Sequence, residues 1–71
     1  MTQGDRIIQY MRDFGSISAL EAMRDLGVMR LASRISELKQ AGADIEVTME
    51  ATKNRYGEIA RYARYRLKED A

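Results

Sequence analysis

Gly27 interrupts two runs of apolar residues at helical spacing, so the stretch from Ser18 to Gly42, SALEAMRDLGVMRLASRISELKQAG, reads as two helices joined by a tight turn. Ser18 and Glu21 form a capping box, in which a hydroxyl and a carboxylate each satisfy a free backbone N–H at a helix start. Apolar Ala19, Ala22, Met23 and Leu26 recur at intervals of three and four until Gly27, whose missing Cβ permits the left-handed stop. Val28 is placed to plug the corner. Leu31, Ile35 and Leu38 then define the buried side of the next helix, which ends before Gly42. The expected helices are about 18–26 and 29–41.

Counting 100° per residue from the Leu31, Ile35, Leu38 stripe puts Arg30, Ser33, Ser36, Glu37 and Gln40 on the solvent side, with Arg34 on the flank. All but Glu37 can donate to base edges or phosphates, and Arg30 or Arg34 could span O6 and N7 of a guanine. A polar outer face is also what any surface helix shows, so this face needs support from the rest of the chain.

Upstream, Thr2 and Asp5 mark another helix start. Ile7, Ile8, Met11 and Phe14 form its inward stripe and Gly15 its end, giving a helix over about 3–14. Ser16 and Ile17 are too short a link for a helix and can add a brief strand. After Gly42 the period changes to two. Ile45, Val47 and Met49 alternate with Glu46, Thr48 and Glu50, predicting a strand over about 44–50. The return strand, about 59–67, is expected to turn Ile59, Ala63, Tyr65 and Leu67 inward, because the other set would bury Arg64 and Arg66 without partners. Opposing Val47 to Tyr65 keeps faces matched and sets Glu46 against Arg66 and Glu50 against Tyr62. That register requires an odd-numbered loop or a bulge within the tip, about 51–58, where Asn54 and Gly57 are expected to take positive φ.

Composition removes several function classes. The chain has no cysteine and no histidine, which eliminates disulfides, thiolate metal sites and the commonest general base. Its carboxylates are scattered, and no phosphate loop, nucleophile elbow or metal-spaced cluster occurs, so no catalytic residue, no metal and no cofactor are expected. No apolar run reaches the length of a membrane span and no secretory leader is apparent, so a cytoplasmic protein without membrane contact is expected. The net charge of +1 conceals an asymmetry. Residues 1–50 carry six basic and eight acidic side chains, whereas residues 51–71 carry six basic and three acidic ones. Lys53, Arg55 and Arg61 have no evident partner except Glu58. Lys53, Asn54, Arg55 and Tyr56 therefore join the candidate binding residues, Tyr56 either packing on the turn or lying against a sugar-phosphate edge. From Lys68 the chain reads as a frayed tail.

With Gly27, Val28, Leu31, Ile35, Leu38 and Gly42 followed by the strand from Ile45 to Met49, the chain resembles a small winged helix-turn-helix domain of bacterial or phage type. The resemblance runs from Thr2 to Leu67. It implies an α+β fold, three helices with a C-terminal β-hairpin wing, in a single domain over residues 1–71. It further implies sequence-specific binding of double-stranded DNA by a small transcriptional regulator or a phage or mobile-element accessory factor such as an excision protein. The alternative is a winged-helix protein-protein interaction domain without DNA binding. The chain has no further helix for dimerisation beyond Leu67, so a monomer or weak homodimer is expected. It departs from the commoner pattern in the short count from Gly27 to Leu31 and in Met29, which stands where a Ser or Thr cap is usual.

Overall fold

The computed structural model describes residues 2–68, so the expected tail beyond Lys68 lies outside the described residues. Helix α1 spans Gln3–Phe14, strand β1 Ile17–Ser18, helix α2 Ala19–Glu21, helix α3 Leu31–Gln40, and strands β2 and β3 Ile45–Lys53 and Ile59–Leu67. The strands form one antiparallel sheet in the order β1-β3-β2. This is the expected α+β arrangement, three helices followed by a C-terminal hairpin.

Both capping boxes close. The Asp5 amide donates to Thr2 Oγ1 and the Thr2 amide to Asp5 Oδ2, at 3.1 and 3.2 Å. At α2 the Ser18 amide donates to Glu21 Oε1 at 3.0 Å and the Glu21 amide to Ser18 Oγ at 3.4 Å. The second helix differs from the expected regular 18–26. After one α-turn it widens into a π-helical turn over Ala22–Leu26. Its cause lies at the exit: Gly27 is left-handed at φ 70°, and the amides of Gly27 and Val28 both reach back to the Ala22 carbonyl. Such a closure takes in one more residue than an α-turn.

The third helix starts at Leu31, two residues later than expected. Arg30 is its N-cap with φ −127° and ψ 65° and makes no side-chain cap hydrogen bond. With no Ser or Thr at the cap, Met29 and Arg30 stay in the turn while Val28 is buried as the plug. The helix finishes at Gln40, and the Gly42 and Ala43 amides close its end on the Lys39 and Leu38 carbonyls.

The core consists of Ile7 and Met11 from α1, Ile17, Ala22, Val28, Leu31 and Ile35 from the middle of the chain, and Ile45 from β2. Phe14, expected in the α1 stripe, is instead exposed and rests on the Tyr10 ring at 4.7 Å between centroids. Helices α1 and α3 approach closely at Gly4, where an added Cβ would lie 3.1 Å from Leu38 Cδ2.

The hairpin has the expected register, with Ile45 opposite Leu67, Val47 opposite Tyr65 and Met49 opposite Ala63. It is longer than expected, because Ala51, Thr52 and Lys53 continue the pairing to Arg61, Ala60 and Ile59. The tip shrinks to the five residues 54–58. Gly57 there has φ 78°, but Asn54 does not take positive φ. Its side chain shapes the turn instead, Oδ1 accepting the amides of Tyr56 and Glu58 at 2.9 and 3.0 Å. β1 adds a third strand, Ile17 opposite Tyr65 and Ser18 opposite Arg64.

The expectation that the odd-numbered face of the hairpin is buried throughout fails. Val47 is 47% exposed, and Met49 and Ile59 are each 66% exposed. Nine-residue strands rise about 30 Å, and burial on this face is confined to the base, at Ile45, Tyr65 and Leu67.

Candidate nucleic-acid interface

Two groups of exposed polar side chains stand out, one on α3 and one at the hairpin tip. On α3, Leu31 and Ile35 are buried and Leu38 is half-buried, which leaves Ser36, Glu37 and Gln40 exposed and Ser33 half-buried. Arg30 is exposed in the turn that feeds this face and makes no ion pair among the described residues.

Arg34, also expected to read DNA, is already engaged. Its Nε donates to Gln3 Oε1 at 3.0 Å and its Nη1 to Glu37 Oε2 at 3.1 Å. The guanidinium thus braces α3 against the start of α1 and cancels the Glu37 charge, so Arg30 carries the cationic part of the face. Lys39, exposed on the last turn of α3, joins it. Sequence reading omitted this residue, although it lies one turn from Ser36 and beside Gln40.

At the tip, Lys53, Arg55 and Arg61 are exposed and make no ion pair among the described residues. Asn54 is taken up by the turn, its Nδ2 also donating to Glu58 Oε1 at 3.4 Å. Tyr56 is 84% exposed, which leaves the turn-packing alternative with almost no packing to support it.

Three further arginines, Arg24, Arg64 and Arg66, are held by protein partners. Arg24 pairs with Asp25 at 2.8 Å, and the Tyr10 hydroxyl donates to the same carboxylate at 2.6 Å. These contacts, Arg24 first and then Tyr10, hold the Asp25 carboxyl down at about 2. Arg66 was expected to pair with Glu46. It donates instead to Thr48 Oγ1 at 2.8 Å and lies 3.5 Å from Glu50 Oε2, because its long side chain reaches diagonally across the hairpin.

Arg64 is the most connected cation. It donates to Glu50 Oε1, Ser16 Oγ and Glu21 Oε1, all between 2.9 and 3.0 Å, with its side chain 17% exposed. The Glu21 oxygen involved is the one that accepts the Ser18 amide in the capping box. The approach of α2 to β3 thus gives Arg64 a partner from the helical layer as well as Glu50 from the hairpin.

Hydrogen bonds from Arg64 first, and then from the Tyr62 hydroxyl, hold the Glu50 carboxyl below its ordinary range. A lowered native value means that this stabilisation is complete above the unfolded value and lost as pH falls through the native one. Urea midpoints should therefore be flat above about pH 5 and fall below it. Glu50→Gln should flatten that acid limb; an unchanged limb would assign it to other carboxylates.

A family model described as winged helix-turn-helix domain matches residues 2–70. No curated protein and no solved structure matches the chain. No described helix is long and apolar enough to cross a membrane. The order of three helices and hairpin, the sharp turn at Gly27 and a match over almost the whole length agree: the chain belongs to the winged helix-turn-helix family, in general one of DNA-binding regulators.

Proposed function

We propose that this protein is a sequence-specific binder of double-stranded DNA, a small cytoplasmic regulator or mobile-element accessory factor that acts without catalysis or cofactor. Helix α3 enters the major groove and offers Arg30, Ser33, Ser36 and Gln40 to base edges, while Lys53, Arg55 and Tyr56 meet the flanking backbone. The observation that carries this reading is the division of the cations. Arg24, Arg34, Arg64 and Arg66 are held by protein partners, whereas Arg30, Lys39, Lys53, Arg55 and Arg61 make no ion pair among the described residues. Glu37, the acidic residue on the reading face, is countered by Arg34.

Selection of bound duplexes from a random pool tests the proposal: a recovered consensus supports it, and an unenriched pool sinks it. Arg30→Ala should cost about 1 to 3 kcal/mol of affinity and relax preference at one base pair. If binding persists with preference intact, the reading helix has been assigned wrongly.

The second reading is a protein-interaction domain. It is favoured by the exposure of Leu20, Met23 and Met29 around α2 and its turn. Absence of selectable DNA together with capture of a defined partner through those residues would establish it.

A further inference from the structure

The sheet order β1-β3-β2 leaves β2 outermost, with nine residues paired on one side only among the described residues. An edge of that length presents alternate N–H and C=O groups as a template for another strand. Natural edges are usually blunted by proline, bulges or charge. The chain has no proline, and β2 pairs with β3 residue for residue without a bulge. Of its charges, Glu50 is already bound by Arg64 and Arg66, and Glu46 and Lys53 stand near its two ends. Met49, at the centre of the strand, is 66% exposed.

We infer that the outer edge of β2 is an interface for a second copy of this chain, the two β2 strands pairing antiparallel about a two-fold axis at Met49. Symmetry restricts the choices, because opposed residues share a face and each register must centre on one residue. Centring on Thr48 opposes Glu46 to Glu50 twice, and centring on Glu50 opposes that residue to itself. Centring on Val47 brings Asp44 against Glu50 and leaves the end of the strand unpaired. The Met49 register alone pairs the whole of Ile45–Lys53 with itself. It opposes Glu46 to Thr52 and Thr48 to Glu50, so no like charges face each other directly. On the other face it opposes Val47 to Ala51 and Met49 to Met49, which continues the exposed apolar row across the seam.

The product is a six-stranded sheet with β1 at both edges. Each copy's other outer strand, β1, has two residues, too few to propagate a filament. This interface does not depend on DNA binding, and a dimer that forms without DNA bears on it alone.

The chain has no cysteine, which permits a register test by cross-linking. Opposed Cα atoms in an antiparallel pair lie about 4.5 to 5.5 Å apart, within the span of a disulfide. Under mild oxidation Met49→Cys should form covalent dimers at least about tenfold faster than Val47→Cys or Thr48→Cys. A mixture of Val47→Cys and Ala51→Cys chains should cross-link as fast as Met49→Cys. Sedimentation should show the wild type in a concentration-dependent monomer-dimer equilibrium. Met49→Glu, with its melting temperature retained, should raise the dissociation constant about tenfold or more by opposing two carboxylates. Equal cross-linking at all three single positions, open-ended aggregates, or a wild type that stays monomeric to about 1 mM would overturn the inference.

Discussion

Raising the salt concentration from about 50 to about 200 mM should weaken DNA binding roughly 60- to 500-fold. The figure follows from three to five neutralised phosphates, with a slope of log affinity against log salt of about −3 to −4.5. Five cations without ion pairs among the described residues, Arg30, Lys39, Lys53, Arg55 and Arg61, are enough to supply it. Replacing Lys53 or Arg55 with Ala should shallow the slope by about one unit and weaken all sequences alike, since phosphate contacts carry no base information. Arg66→Ala should leave the slope nearly unchanged, because Thr48 and Glu50 already hold that guanidinium. Anisotropy titrations at four salt concentrations distinguish these cases. An Arg66 variant as salt-sensitive as the Arg55 variant would move the basic face from the tip to the body of the sheet.

Ile17→Ala should destabilise the fold by about 3 kcal/mol, within the 2 to 5 kcal/mol typical of buried isoleucine truncation. Ile17 is fully buried and sits opposite Tyr65 on the one short strand that ties the helical layer to the hairpin. Chains of this size have total stabilities on the order of 4 to 10 kcal/mol, so about 30% or more of the margin disappears. Chemical denaturation gives the number directly. A loss below about 1 kcal/mol would mean that the surroundings collapse into the space and that β1 is dispensable.

The difference between these residues and others lies in how locally their roles were encoded. Ser18 with Glu21, Thr2 with Asp5, and the alternation from Ile45 to Glu50 each place cause and effect within a few residues, so the caps, the register and the odd loop could be read from spacing. The extent of burial along the hairpin could not, because alternation says which face is apolar and not how far a neighbouring layer reaches. Val47, Met49 and Ile59 lie on the apolar face and are nevertheless exposed. The candidate site divides in the same way. Exposure of Arg30, Ser36 and Gln40 followed from helical angle, whereas the engagement of Arg34 depends on Gln3, 31 residues away in sequence. Residue type marks Asn54 as a turn residue but not the means, since Asn can shape a turn through its side chain as well as through its backbone.

The oxygen of Glu21 shared by the Ser18 amide and Arg64 makes the start of α2 and the third strand a single cooperative unit. Helix α2 has one α-turn before its π-turn, too little to persist alone. Peeling β3 away removes a partner of the carboxylate that nucleates the helix, and melting the helix strands the guanidinium. In hydrogen exchange, the amides of Glu21 and Ala22 and those around Arg64 should open together at one free energy. Such joint opening would make the first turn of α2 and the wing one foldon, so that tension on the wing should reach the helix start.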